Sequence, residues 1–169
     1  MTELSQLFHR TYHAIKERGW TSKSRIIGEA IEDCVVTLPC PICKHTTMTK
    51  YKANEKSKDV RCNTCCAQIQ IKGSKHTKKL LSPIKLLGAE YNTTCLSIKE
   101  NMVHYLVILY SDTNDVYTIN DILFIHRDHI HESCIIPRKK LSSTAKRAGW
   151  QGCTLVFDTF TSIYNSICK

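Results

Sequence analysis

Residues 40–72 read CPICKHTTMTKYKANEKSKDVRCNTCCAQIQIK, and this stretch is the most informative part of the sequence. It holds two Cys-x2-Cys pairs, Cys40 with Cys43 and Cys62 with Cys65, separated by eighteen residues. Zinc prefers four thiolates in a tetrahedron, and two such pairs separated by roughly 15–20 residues are typical of zinc sites. Because four protein ligands leave the ion no open position, the spacing predicts a structural Zn2+ ribbon within residues 39–72.

Other interpretations of these cysteines stay open at the level of sequence. Cys66 competes with Cys65 as the fourth ligand, although Cys65 keeps the two pairs symmetric. His45 would bind only at an unusual spacing, and a redox pair would need a thioredoxin-like context. Four unrelated core cysteines are the remaining alternative.

The composition indicates a globular, basic protein. Lys and Arg total 24 against 15 acidic residues, a formal net charge of +9, and 42% of the 169 residues are hydrophobic. This length predicts one domain over residues 1–169. The positive charge favours a polyanionic partner, and nucleic acid is the usual one; a basic protein without such a partner is the alternative.

The N-terminus and the apolar segments bear on location. Residues 1–19 have neither the apolar core nor the cleavage site of a secretory signal. The longest apolar run, at 103–110, is shorter than the roughly 18 residues of a membrane span. We therefore expect no membrane partner and a reducing, bacterial-type cytoplasm, where paired cysteines bind metal.

Hydrophobic periodicity predicts an α/β fold. Residues 3–17 have helical spacing and end before Gly19, and a second helix is expected after Thr21 or Ser22. Segments 103–110 and 116–125 read as strands on either side of a turn. We find no repeat or flexible linker, so the pattern predicts one compact unit with the cysteine module embedded in it.

A polar face follows the second cysteine pair. Residues 67–72 alternate, so that Gln68, Gln70 and Lys72 project to one side while Ile69 and Ile71 enter the core. The acid Asp59 precedes the same cysteine pair. We therefore expect a hairpin whose two strands bring together an acid, an amide oxygen and an ammonium group.

This combination suits phosphodiester hydrolysis. The reaction needs a divalent cation that polarises the phosphate and activates water, together with a positive group that stabilises charge. Asp59 and the backbone carbonyl of Ile71 would bind Mg2+, and Lys72 would lie near the attacking water. An ordinary solvated strand face is the alternative interpretation, because the spacing by itself is weakly specific.

Three stretches resemble the catalytic domain of the DpnI-type, or Dam-replacing, restriction endonucleases of the PD-(D/E)xK nuclease superfamily. They are SKSRIIGEAIED at 22–33, the cysteine module with QIQIKGSK at 68–75, and LSSTAKRAGWQGC at 141–153. The resemblance runs from about residue 21 to residue 157, in the family's order. It implies a PD-(D/E)xK core with a mixed sheet, N-terminal helices and an embedded four-cysteine zinc ribbon. It also implies that Asp59 is the metal-binding acid, Gln70 occupies the second acidic position, and Lys72 is the catalytic lysine.

The expected function is that of a type II restriction endonuclease, a Mg2+-dependent hydrolase of double-stranded DNA, at adenine-methylated GATC-like sites. Two departures from the family bear on this expectation. The usual Glu-x-Lys is Gln70-x-Lys72, which removes one formal charge from the metal site. The family's C-terminal winged-helix DNA reader is not expected in this chain, which continues only briefly beyond residue 153. A catalytically inactive, zinc-stabilised DNA-binding module and an RNA-binding zinc ribbon are the alternatives.

Basic residues in two regions are candidates for DNA binding. Lys75, Lys78 and Lys79 follow the predicted catalytic strand. A second region spans 138–150, where a short helix at 144–148 would present Lys146 and Arg147 to a phosphate. Trp150, after this helix, is a further candidate for DNA binding because it is free to pack or stack. Solvated surface charges with Trp150 in the core are the alternative. Three histidines at 126, 129 and 131 suggest either a second metal or ordinary surface positions.

Overall fold

Two amphipathic helices begin the chain, as the periodicity predicts. They are α1 (Glu3–Glu17) and α2 (Lys23–Val35). The Thr2 hydroxyl caps α1 by accepting a hydrogen bond from the backbone N–H of Ser5 at 3.4 Å. Gly19, with φ of 86°, permits the turn between the helices.

The protein is described by a computed structural model covering residues 1–52, 58–75, 82–101 and 103–167.

Nine strands form two sheets within these described ranges. They are β1 (Met48–Lys50), β2 (Val60–Cys62), β3 (Gln68–Lys75), β4 (Ile84–Glu90), β5 (His104–Thr113), β6 (Val116–Ile125), β7 (Ile135–Pro137), β8 (Gly152–Phe157) and β9 (Thr161–Ser162). The larger, mixed sheet has the order β1-β2-β3-β5-β6-β9, in which β3 and β5 are parallel. The smaller sheet, β4-β8-β7, is antiparallel.

Short helices complete the described chain. The helix α3 (Tyr91–Asn101) joins β4 to β5, and α4 (Tyr164–Ile167) ends the described residues. Two 3-10 turns, Arg127–His129 and Glu132–Cys134, connect β6 to β7. None of the helices in the described part of the chain has the length and apolarity required to cross a membrane.

The larger sheet is covered on both faces. On β5, Leu106 and Ile108 join the core beneath α1 and α2, whereas Tyr105 and Val107 join a second core against β4 and β8. This arrangement explains why residues 103–110 form a continuous apolar run in the sequence, because a strand that is buried on both faces has no polar side. The central strands of the larger sheet are therefore anchored in two hydrophobic cores.

The two strands expected around residues 103–125 form a hairpin. They pair antiparallel from Tyr105 opposite Ile125 to Thr113 opposite Val116. The two turn residues, Asn114 and Asp115, both have positive φ, which Asn and Asp tolerate in tight hairpins.

Some elements differ from the sequence prediction. The region 144–148, expected to be a short helix, consists of turns, because the chain is closed into a loop by two backbone hydrogen bonds. The Leu141 N–H donates to the Trp150 carbonyl at 2.9 Å, and the Gly149 N–H donates to the Leu141 carbonyl at 3.2 Å. The smaller sheet and α3 were not predicted, because the strands of that sheet are short and pair across long stretches of sequence.

Candidate active site and metal centre

The hairpin that joins β2 to β3 brings Asp59 to Gln70, as the sequence predicts. Val60 lies opposite Ile69, and the Asp59 N–H donates to the Ile69 carbonyl at 3.0 Å. Beyond this point the strands separate, which leaves the next N–H of β3 without a strand partner. The Asp59 carboxylate takes that place by accepting the Ile71 N–H at 2.7 Å.

The same carboxylate oxygen also accepts a hydrogen bond from the Gln70 side-chain amide, at 2.5 Å. Burial raises the pKa of Asp59, while the Ile71 N–H and the positive charges of Lys72 and Lys50 oppose this effect. The Asp59 carboxylate is therefore largely removed from water, and its ionised form is stabilised by two hydrogen-bond donors, one of which is the Gln70 amide.

Lys72 lies on the same side of β3 as Gln70. In the parallel register Gln70 is opposite Tyr105 and Lys72 is opposite Val107, both of which face the second core. Burial raises the pKa of Cys153 on β8, and the positive charge of Lys72 opposes this effect. Burial also raises the pKa of Tyr105, and the negative charge of Asp59 adds to that effect. Asp59, Lys72 and the start of β8 therefore share one region, between the two sheets.

Acidic residues of α2 form a further cluster beside Asp59. Lys50 on β1 contacts the carboxylates of Glu29 at 2.5 Å, Asp33 at 2.9 Å and Glu32 at 3.3 Å. Burial raises the pKa of Glu32, and the negative charge of Asp59 adds to this effect. The sequence pattern did not single out Lys50, because its partners are distant in sequence and it lies outside both cysteine pairs.

The four predicted cysteines converge on one point. The sulfur atoms of Cys40, Cys43, Cys62 and Cys65 all lie within 4.8 Å of one another. Sulfur pairs across the cluster are 3.7 Å apart for Cys40 and Cys65, and 3.5 Å apart for Cys43 and Cys62. A tetrahedral ion with Zn–S bonds of about 2.3 Å requires sulfur atoms about 3.8 Å apart. The cluster therefore has the dimensions of a Zn2+ site.

Hydrogen bonds at the second cysteine pair favour a thiolate. Burial opposes ionisation of Cys62, but the backbone N–H groups of Cys65 and Thr64 and the Thr47 hydroxyl lower the pKa of Cys62 to about 6. Thiolate, not thiol, is the form that binds a metal. Cys66, the rival ligand in sequence, is exposed and lies outside the cluster. Cys65 is thus the fourth member.

The predicted basic region forms an exposed loop, residues 138–151, leading into β8. Lys146 and Arg147 are exposed near its tip, and the Arg147 guanidinium lies 4.4 Å from the centre of the Trp150 ring. That ring covers Gly152, where any Cβ would lie 2.8 Å from it. Trp150 therefore organises the loop by packing on its own backbone and supporting Arg147.

Other predicted residues lie elsewhere. Lys75 is at the far end of β3, where it shares the Asp112 carboxylate with Lys23, at 3.6 Å and 2.7 Å respectively. Lys78 and Lys79 fall outside the described residues. Within those residues, the cluster whose ligand atoms converge is that of the four cysteines, and His126, His129 and His131 are not members of it.

The described residues combine a mixed α/β fold, a four-cysteine cluster, a buried carboxylate at a strand edge and an exposed basic loop. Comparison with known families identifies the class of protein. The family model described as DpnI, the Dam-replacing family, matches residues 8–163, which is most of the chain. The chain belongs to this family, as the sequence resemblance indicated. Membership implies a restriction-type nuclease for methylated DNA, and hence an enzyme that binds DNA.

Proposed function

We propose that this protein is a Mg2+-dependent type II restriction endonuclease of the PD-(D/E)xK type, with Asp59, Gln70 and Lys72 as its catalytic residues. Its substrate is double-stranded DNA, at adenine-methylated GATC-like sites. The observation that carries the proposal is the meeting of the Asp59 carboxylate with the Gln70 amide at the edge of β3. Cleavage of methylated plasmid by the wild type, and not by active-site variants, tests it.

The donor set at this edge fits Mg2+. The cation prefers oxygen ligands, and the Asp59 carboxylate, the Gln70 side-chain carbonyl and the Ile71 backbone carbonyl supply them. The oxygen and nitrogen of the Gln70 amide exchange places by a simple flip, so the group that now donates to Asp59 can present its oxygen instead. When bound, Mg2+ supplies charge that polarises the phosphate and lowers the pKa of water.

The protein side chains then perform the remaining tasks. The Ile71 N–H donates to one oxygen of the Asp59 carboxylate and so fixes this metal ligand at the edge of β3. The Lys72 ammonium, on the same face, orients the attacking water and stabilises the negative charge that develops on the phosphate. Water adds to phosphorus as the bond to the leaving oxygen breaks, and a proton passes to that oxygen.

The four cysteines hold a structural Zn2+ ion in the same proposal. Cys62 and Cys65 lie at the end of β2 and in the turn before β3, so the ion fixes the hairpin that carries Asp59 and Gln70. Zn2+ binding requires the four cysteines to be free of disulfide bonds, so we propose that the protein works in a reducing cytoplasm.

The basic loop is the proposed DNA-binding surface. Residues 138–151 lead into β8, whose Cys153 lies within electrostatic reach of Lys72. Lys146 and Arg147 are exposed near the tip of this loop and are available for backbone phosphates. Trp150 packs on the loop backbone and stabilises its conformation. Lys75 at the end of β3, and Lys78 and Lys79 beyond it in sequence, remain predicted DNA contacts.

The Gln70→Glu variant should require less Mg2+ than the wild type. Without metal, two carboxylates would face each other where Gln70 now donates to Asp59, so the variant should be less stable in EDTA. Mg2+ should then raise its Tm more, and at lower concentration, because one more negative charge faces the cation. Thermal unfolding across a Mg2+ titration measures both effects.

Gln68→Glu is the matched control, since it adds the same charge on the same face of β3, two residues away. It should leave the Mg2+ concentration for half of the thermal shift unchanged. Equal Mg2+ dependence of Gln70→Glu and the wild type would show that Gln70 does not contact the metal.

Replacing both Lys146 and Arg147 with Ala should weaken binding to double-stranded DNA about 60-fold at 0.1 M salt relative to 1 M. This follows because each lost phosphate contact removes about 0.9 from the slope of log affinity against log salt. Fluorescence anisotropy in EDTA measures affinity without cleavage. The double variant Arg10→Ala, Lys16→Ala removes the same charge from the exposed side of α1. Equal losses in both double variants would contradict a specific role for the loop.

A catalytically inactive DNA-binding module is the second candidate, and one observation favours it. The Gln70 amide is neutral and already satisfies Asp59, so the site is complete without a metal. Binding of DNA without cleavage in Mg2+ and in Mn2+ would select this alternative.

A further inference from the structure

One face of the larger sheet is open beside the proposed catalytic residues. Val60 and Ile69, which pair across β2 and β3, are fully buried in the core beneath the N-terminal helices. Because side chains alternate along a strand, the neighbouring residues Asp59 and Arg61 lie on the opposite face. The smaller sheet covers that face at β5, where Tyr105 is buried, but Arg61 on β2 is exposed. The open face therefore extends from the proposed metal site across β2 to β1.

Arg61 is the centre of a row of residues across three strands. It lies opposite Thr49 on β1 and opposite Gln68 on β3, and both of these neighbours are uncharged. Among the described residues, no carboxylate lies within ion-pair distance of the Arg61 guanidinium. By contrast, Lys23 and Lys50 are paired with carboxylates. The positive charge of Arg61 is thus left uncompensated on an exposed surface.

The groups around Arg61 suit a phosphate. Asn63 follows two residues later on the same side of the chain, and its Oδ1 accepts a hydrogen bond from the Thr49 hydroxyl at 3.3 Å, which leaves its amide nitrogen as a donor. Asp59, the acidic side chain that this face carries within the described residues, already accepts two hydrogen bonds. The planar guanidinium of arginine matches two phosphate oxygens at once. A cation among donors is therefore suited to a polyanion.

The position of Arg61 complements that of the basic loop at 138–151. The loop leads into β8, whose Cys153 and Leu155 pack against the β5 side of the larger sheet. β2 is the neighbour of β3 on the other side. Asp59 consequently lies between the loop and Arg61, so a duplex that contacts both would pass over the proposed metal site.

The spacing along β2 also fits a DNA strand. Asp59 and Arg61 are two residues apart, which corresponds to about 6.6 Å along a strand. Phosphates of one DNA strand recur about every 3.4 Å along the helix axis. When the cleaved phosphate lies at Asp59, a phosphate about two nucleotides away is therefore level with Arg61.

We propose that Arg61 binds a DNA backbone phosphate about two nucleotides from the cleaved one and so positions the substrate over Asp59. The inference rests on the proposed nuclease function for its ligand. Arg61 contacts the substrate away from the reacting atoms, and it is distinct from the basic loop at 138–151.

Affinity for double-stranded DNA in EDTA tests the contact without cleavage. Arg61→Gln should lower the slope of log affinity against log salt by about 0.9, which weakens binding about eightfold at 0.1 M salt relative to 1 M. Arg61→Lys keeps the charge and should keep most of the slope. Because Arg61 is exposed, zinc content and circular dichroism should be unchanged in both variants.

Arg18→Gln is the matched control. It makes the same substitution at another exposed arginine, at the end of α1, and α1 covers the opposite face of the larger sheet. This variant should keep the wild-type salt slope.

Neutral phosphates locate the contact on the DNA. A short adenine-methylated GATC duplex is prepared in several versions, each with one methylphosphonate in place of a backbone phosphate. At the phosphate that Arg61 binds, this replacement should weaken binding of the wild type but not that of Arg61→Gln. At phosphates bound by other residues, both proteins should lose affinity equally.

Cleavage kinetics separate positioning from chemistry. Arg61→Gln should raise KM and leave kcat close to the wild-type value, because the phosphate contact is present in the bound substrate and in the transition state alike. A fall in kcat as large as that of Lys72→Ala would place Arg61 in the chemical step and overturn the proposal.

Failure of the contact and failure of the nuclease function give different results. Equal salt slopes for Arg61→Gln and the wild type, or equal losses at every methylphosphonate, overturn the contact and leave the nuclease function intact. If the wild type binds no double-stranded DNA, the proposed function fails and the contact with it. If the wild type binds DNA without cleaving it, only the nuclease function fails, and the two binding experiments still decide the role of Arg61.

Discussion

Asp59→Asn should reduce DNA cleavage at least 100-fold while leaving the fold no less stable than the wild type. In the proposed site Asp59 is the charged oxygen ligand at the strand edge, so its loss would remove the electrostatic attraction for the cation. Losses of about 100-fold to 1,000-fold follow removal of a single stabilising group from an active site. Plasmid nicking and linearisation in Mg2+ measure the activity. Lys72→Ala should show a comparable loss.

The stability of Asp59→Asn distinguishes a catalytic role from a structural one. Burial raises the pKa of Asp59 above its ordinary value of 3.8, so the folded state disfavours the charged carboxylate. The free energy of unfolding of the wild type should therefore fall relative to the variant as pH rises from that value through the raised pKa. Below both pKa values the carboxyl is protonated in both states, and this advantage of the variant disappears.

Denaturant unfolding in EDTA at several pH values provides the measurement. Mg2+ should raise the Tm of the wild type and not that of Asp59→Asn. If the variant cleaves DNA at the wild-type rate, Asp59 is not the metal-binding acid. A large loss of stability at pH 7 would instead identify the carboxylate as a structural partner of the Ile71 N–H.

Cys62→Ser should cause the largest change in stability. Structural zinc contributes about 10 kcal/mol or more of binding free energy, which small zinc domains use to fold. Cys62 lies on β2, is fully buried and contacts both Cys43 and Thr47, so its loss disrupts the metal site and the hairpin together. We expect the wild type to carry about one Zn2+ per chain and the variant to lose it and unfold.

Cys66→Ser provides the matched control, because it makes the same chemical change at an exposed neighbour outside the cluster. It should retain the wild-type zinc content and Tm. Elemental analysis and thermal unfolding are the measurements, with a chelator added to the wild type as a third arm. A stable, zinc-free wild type would exclude the ribbon.

The parts of the fold that follow local rules could be predicted from sequence. Helical spacing located α1 and α2, and alternation located β3 with Ile69 and Ile71 in the core. Ser22, one of the two expected cap residues, precedes α2 but makes no side-chain capping hydrogen bond. The meeting of Asp59 with Gln70 was also predictable, because the cysteine pair requires a tight turn between the two strands. Local sequence carries enough information in these cases.

Features that depend on distant pairing were not predictable. β4 pairs with β8, and their residues Leu86 and Leu155 are far apart in sequence. Lys50 gains its carboxylates only because α2 packs beside β1, and His104 meets Phe124 and His126 only because the start of β5 pairs with the end of β6. The loop at 144–148 resembled a helix because its Ser, Lys and Arg residues suit a capped helix as well as a turn.

The central claim is metal-dependent cleavage of methylated DNA through Asp59, Gln70 and Lys72. In the experiment that tests this, the zinc-loaded protein is incubated with Mg2+ or Mn2+ and with two preparations of the same plasmid. One preparation comes from an adenine-methylating host and the other from a non-methylating host. We predict discrete fragments from the methylated plasmid, none in EDTA, and at least 100-fold less product with Lys72→Ala. Intact methylated plasmid in both metals, or equal cleavage by Lys72→Ala, would contradict the claim.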